Sequence, residues 1–304
     1  MMRTMTAALA SFVLLCSAPA RADTVHDALE AYALYQNDVS TLMDLDVDSP
    51  QAVETALARM SRHNPLRVSR GWIAYGALTA AQSPAFAAGV EARVRANGEA
   101  PVVRQLRSDV MYARRQPAGA NQAIRLILST ASADGARAAQ AGARYDSIAR
   151  SNASWLRSPV RGGRRDRSGT RLPPNMREQL QVGALAAQPN RDADDFGGRR
   201  FWDALAGRDG RSPRGRGSRE RNDYSSVTDH MLTVGALVVV GAADSERSRV
   251  AALLNEPLTQ ACLHMQQLQL RQCASVAHDT SERAYCLGRH GLTGPGGCFA
   301  SMVR

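Results

Sequence analysis

CLHMQQLQLRQC, residues 262–273, reads as a helical stretch with two cysteines eleven positions apart. Eleven helical residues rotate by about 1100°, three turns plus roughly 20°, so Cys262 and Cys273 fall on one face. They also stand about 16 Å apart along the axis, whereas a disulfide needs about 4.4 to 6.8 Å between Cα atoms. These two cysteines cannot bond to each other. Each needs a partner on a neighbouring element.

Downstream, Asp279 or Thr280 caps a second helix, SERAYCLGRH, which Gly291 is expected to end. A turn near 277–279 then brings Cys273 and Cys286 to similar heights on a helical hairpin, and Cys262 is left for Cys298 in the tail GPGGCF, expected to be irregular. Of the three pairings that four cysteines permit, the geometry selects nested bonds, Cys273–Cys286 and Cys262–Cys298. The arrangement resembles the twin-cysteine helical hairpins of intermembrane-space proteins in geometry alone. Zinc is the competing use, through Cys262 with His264 and Cys286 with His290. The long separations do not match the tight paired knuckles of structural zinc sites, so no metal or other cofactor is expected.

Disulfides call for an oxidising compartment, and the start of the chain supplies a route to one. Arg3, an apolar run from Ala7 to Cys16, and Ala20-Arg21-Ala22 fit a signal peptide over residues 1–22, with a mature chain beginning at Asp23. Leu15 precedes Cys16 where a lipoprotein signal wants a small residue. The longest later apolar run, 231–243, is shorter than the roughly 20 residues needed to cross hydrocarbon, and reads as a buried helix. The expected location is periplasmic or secreted.

From 23 to 156 the signals are helical and predict a bundle. Ser49-Pro50, Asn64-Pro65 and Ser83-Pro84 each join a capping side chain to a proline suited to the first helical position. Val25, Leu29, Tyr32, Tyr35, Val39 and Leu42 line one helix face at spacings of three and four. Trp72 and Tyr75 continue this core pattern on a later helix. Asn97-Gly98 marks a helix stop, and further helices are expected at 102–115, 120–132 and 136–156.

At Arg157 the composition changes. Residues 157–222 are rich in Arg, Gly, Pro and Ser and poor in core-forming side chains, which predicts a disordered linker with a short helix at 175–186 and a docking island at Phe201 and Trp202. Folded signals resume in 223–304, with Asp244 expected to cap the helix in SERSRVAALL. The predicted fold class is therefore all-α: a helical bundle with a C-terminal disulfide-stapled helical hairpin and a disordered Arg/Gly-rich linker, and the sequence leaves open whether the two helical regions form one domain.

The formal net charge of +10 comes from arginine, since the chain contains no lysine. That excludes a phosphate-binding loop of the GxxxxGK[ST] kind, a Schiff-base lysine and a Ser-x-x-Lys nucleophile pair. Neither G-x-S-x-G nor H-E-x-x-H occurs, and no catalytic residue is assigned. DADDFGGRRFWD, residues 192–203, has acids at several EF-hand places but Phe196 at the fifth and Arg199 and Arg200 nearby, which oppose Ca²⁺. Asp229-His230 is an acid–imidazole neighbour pair, but adjacent residues on a helix point apart. Arg161, Arg164, Arg165, Arg214, Arg216 and Arg219 are the candidate anion-binding residues. These features predict a non-catalytic structural or interaction-mediating protein of the cell envelope, whose partner is another envelope protein or an anionic envelope polymer rather than nucleic acid. The alternatives are an enzyme whose site assembles from distant residues, and a polymer binder acting through the arginine-rich segment.

Overall fold

A computed structural model describes residues 25–159, 202 and 226–301. Among them the secondary structure is helical, with no strand beyond a single isolated bridge between Pro159 and Asp279. The proline pairs do what their chemistry dictates. Ser49 and Asn64 accept hydrogen bonds from the first-turn amides of α2 (Pro50–Ser61) and α3 (Pro65–Ala81). Ser83 precedes α4 (Pro84–Asn97) in extended conformation without a side-chain cap bond. Gly98 ends α4 at φ +83°, a value costly for a residue with a Cβ.

Helix α3 is the axis of the fold. It is buried almost all round from Val68 to Ala80, as its apolar and small side chains require. On one side lies α1 (Val25–Asp44), where the chain crosses so closely that a Cβ at Gly71 would meet the Ala28 carbonyl oxygen at 2.5 Å. On another lies α8 (Ser226–Val240), the helix formed by the apolar run. Between α4 and α8 come α5 (Glu99–Ser108), α6 (Tyr112–Arg115), α7 (Ala120–Ala149) and a 3₁₀ turn at Ser154–Arg157. The helix expected over 102–115 is split at Asp109, whose carboxylate accepts the Met111 amide at 2.9 Å and so diverts the backbone.

The two helices expected at 120–132 and 136–156 are one, α7. Asp134-Gly135 resembles a stop, but both residues serve distant neighbours: Asp134 takes hydrogen bonds from other segments, and Gly135 admits the Gly296 backbone, whose oxygen a Cβ would meet at 2.7 Å. From the same helix Arg144 donates to the carbonyls of Leu42, Met43 and Leu45 at 2.7–2.8 Å, satisfying acceptors that the end of α1 leaves open.

After α8 come α9 (Arg247–Leu254), α10 (Pro257–Val276) and α11 (Thr280–Cys286). Asp244 does not cap α9; Glu246 occupies the cap position, and the Ser245 hydroxyl bonds the Ala242 carbonyl instead. Asp279 caps α11 through the Glu282 amide, as its sequence position suggests. Gly291 does not end this helix. The backbone widens into a π-helical segment, Leu287–Thr293, and continues as α12 (Gly294–Ser301), so GPGGCF is helical rather than irregular. Of its glycines, Gly296 lies against α7, where a Cβ would meet the Gly135 carbonyl oxygen at 2.7 Å, and Gly294 lies against Gln266 of α10.

Cys273–Cys286 and Cys262–Cys298 are bonded, with Cα–Cα distances of 5.6 and 5.9 Å. The hairpin they staple packs through α11, the π segment and α12 onto α7, and buried side chains from 25–159 and 226–301 form one continuous cluster. Trp202 is part of it, fully buried against Tyr32 and Tyr75. Residues 1–22 and most of 157–222, including Phe201, the 175–186 helix and the calcium-loop-like acids, lie outside the described residues.

Candidate functional site

Two buried polar clusters organise the core. In the first, Asp134 accepts from the Tyr32 hydroxyl at 2.8 Å and from the Trp202 indole at 3.0 Å, while Arg137 donates to the Gln36 carbonyl at 2.8 Å and to the side chains of Gln36 and Ser40. Burial, reinforced by the Asp134 charge, pushes the Tyr32 hydroxyl well above its ordinary pKa, so it stays a donor. The second cluster surrounds Asp38, fully buried on α1. Arg59, Arg62 and His63 reach its carboxylate at 2.9, 2.6 and 2.8 Å. Burial raises the Asp38 pKa, but the His63 hydrogen bond and the nearby positive charges outweigh it and hold the carboxyl below its usual range.

His63 also lines a cavity of about 40 Å³ with Tyr35, Gln267 and, from the π segment, His290. The remaining wall is apolar, including Met60, Val68, Leu263 and Leu270. Gln267 spends its amide on the His63 carbonyl at 2.6 Å, and the Tyr35 ring meets the His63 ring edge-on. Burial, with the Arg289 charge, lowers the His290 pKa and favours a neutral imidazole. This volume holds a few waters at about 10–15 Å³ each, against the roughly 300 Å³ or more of a typical organic-ligand site. The polar groups in and beside it hold helices together: Asp38 joins α1 to the end of α2, and the Gln267 amide joins that end to α10.

A shallow groove at the start of α7 gathers Arg114, Arg115 and Arg125. Arg114 pairs with Asp229 at 2.7 Å and Arg115 with Asp109, so acids already answer two of its three charges. The Asp229-His230 neighbours divide accordingly. Asp229 faces Arg114, and burial lowers the His230 pKa in a separate environment.

The outer side of α10 differs from both. Leu258, Met265, Leu268 and Val276 are 61, 53, 38 and 70 % exposed. With exposed Ala261, Gln272 and Ser275 they fall within about 100° of arc, opposite the buried Leu263 and Leu270. Apart from His264, the only charge-bearing side chain from Leu258 to Val276 is Arg271. On a surface otherwise dense in arginine, this is a low-charge apolar strip on a helix fixed by a disulfide at each of two positions.

Of the sequence-predicted residues, the four cysteines pair as expected, which takes their sulfurs from any zinc site. Among the described residues no group of three or more His, Cys, Asp or Glu side chains is placed to hold a metal ion. No helix among them is long and apolar enough to cross a membrane. Arg161, Arg164, Arg165, Arg214, Arg216 and Arg219 lie outside the described residues. The Asp38 cluster and the α10 strip escaped sequence reasoning. The available signals were the basic spacing of Arg59, Arg62 and His63, and the near-absence of charge in 258–276. No protein family, no curated protein and no solved structure matches the chain.

Proposed function

We propose that the protein is exported and acts in the cell envelope as a non-catalytic, interaction-mediating scaffold that presents the outer face of α10 to a protein partner. The observation that carries this reading is the exposed, nearly uncharged apolar strip on a disulfide-stapled helix. Contiguous apolar surface rimmed by polar residues is characteristic of binding sites, and a helix held in place by covalent bonds loses little freedom when it binds. The leader-like first 22 residues and the two disulfides support export. An enzyme whose site assembles from distant residues stays the alternative, and the arginine-rich segment remains the candidate contact for anionic polymers.

The test is site-specific photo-crosslinking in cells producing the whole protein, with the probe placed at position 265 or 268 and, as control, at exposed Arg104 on α5. Discrete protein adducts from α10 but not from α5 are expected. Equal labelling from both helices, or none from α10, overturns the reading. Mass spectrometry of the same material is expected to find the mature start at Asp23.

A further inference from the structure

We infer that the cavity beside His63 binds a single copper(I) ion through the His63 and His290 imidazoles and the Met60 thioether; this does not rest on the role proposed for α10. All three side chains line the same cavity of about 40 Å³. The fold gathers them from two directions. Met60 and His63 are three residues apart where α2 ends, and the His63 amide bonds the Met60 carbonyl at 3.4 Å. His290 comes from the π segment, which packs against α2. A Cβ at Gly291, the next residue in the chain, would stand 3.7 Å from the Met60 Cβ. π-Helical turns set between α-helical ones occur often at functional sites.

The chemistry of the set selects the ion. The Asp38 carboxylate holds His63 by Nε2 at 2.8 Å, which leaves Nδ1 as the nitrogen available to a metal. A carboxylate behind a ligating histidine fixes the ring and strengthens it as a donor. No carboxylate lines the cavity itself, so the oxygen ligands that calcium and magnesium require are missing from its wall. Imidazole serves several transition metals, but a thioether is a soft ligand that favours copper(I). Charge acts in the same direction. Arg59 and Arg62 stand against Asp38, and the Arg289 charge reaches His290, so a monovalent ion meets less repulsion than zinc(II) or copper(II). Both imidazoles are partly exposed and give the ion a way in, while Met60 is buried. The four cysteines are bonded in pairs and offer no competing thiolate.

The test is anaerobic titration of the disulfide-bonded protein with copper(I) in competition with the chromophoric chelator bicinchoninate. The wild type is expected to withdraw one copper(I) per chain, and zinc(II), offered separately, to bind more weakly. Met60→Leu and His290→Gln are each expected to weaken copper(I) binding at least about tenfold, since even outer-shell partners of a metal are worth that much. Met60→Leu conserves volume and position 290 is partly exposed, so both variants should fold, and thermal unfolding checks that they do. X-ray absorption of the copper-loaded wild type supplies a readout that needs no variant: nitrogen and sulfur neighbours are expected together. A double variant of the exposed pair on α10, His264→Gln with Met265→Leu, should bind as the wild type does. No withdrawal by the wild type, zinc(II) bound as tightly as copper(I), absence of a sulfur neighbour, undiminished uptake by folded Met60→Leu or His290→Gln, or loss in the α10 variant overturns the inference.

Discussion

Asp38 anchors a cluster of buried charges whose loss is expected to destabilise the fold. It is a fully buried carboxylate whose partners all come from one stretch, Arg59, Arg62 and His63. Asp38→Asn leaves two guanidinium groups facing a neutral amide. The expected cost is about 3 kcal/mol, the lower end for a broken buried pair, because both arginines keep some contact with water. Since the folded carboxyl titrates below its unfolded value of about 3.9, its contribution is complete above roughly pH 4 and disappears as the pH falls through the lower folded value. Urea unfolding at neutral and acid pH checks both statements. The wild type should lose more stability on acidification than Asp38→Asn, and equal losses would remove Asp38 from the account. Little of this was legible in the sequence. The spacing of Arg59, Arg62 and His63 places cations on one side of a helix end, but nothing local names an acid 21 to 25 residues earlier as their target. Asp134 was harder still, because one of its donors, Trp202, lies 68 residues away in a segment otherwise poor in core residues.

Elements were legible wherever local chemistry decides them, and were misread where a distant neighbour overrides it. The proline starts of α2, α3 and α4 follow from proline's missing amide, joined by side-chain caps at Ser49 and Asn64 but not at Ser83. The disulfide pairing follows from helical rise and rotation. The break expected between 132 and 136 and the irregular tail expected at GPGGCF were misread for one reason: Gly135 and Gly296 mark close contact between α7 and α12 rather than chain breaks. The staple itself can be measured. Cys273–Cys286 spans 13 residues and Cys262–Cys298 spans 36. If the bonds act by restricting the unfolded chain, replacing the shorter pair with serine costs about 3 kcal/mol and the longer pair about 4. Denaturant unfolding of the two double variants should rank them in that order; the reverse order would mean that local packing, not loop closure, dominates.

For the whole molecule, the fold class was legible because alanine-rich segments with spacings of three and four dominate and β-branched alternation is rare. The sharing of one buried cluster by residues 25–159 and 226–301 was not, since it depends on which outer faces of α3 and α7 are covered. The disulfides have a further consequence at this scale. Both lie within residues 262–298, so neither ties the C-terminal helices covalently to the α1–α7 half. A chain cleaved between 160 and 201 therefore becomes a two-chain protein, held only by non-covalent contacts, chief among them those of α3 with α8 and of α7 with the π segment, α11 and α12. The halves are expected to co-elute under native conditions and to part in urea without any reductant. Produced as separate polypeptides, they should behave as complementing fragments, each supplying the surface the other needs to fold.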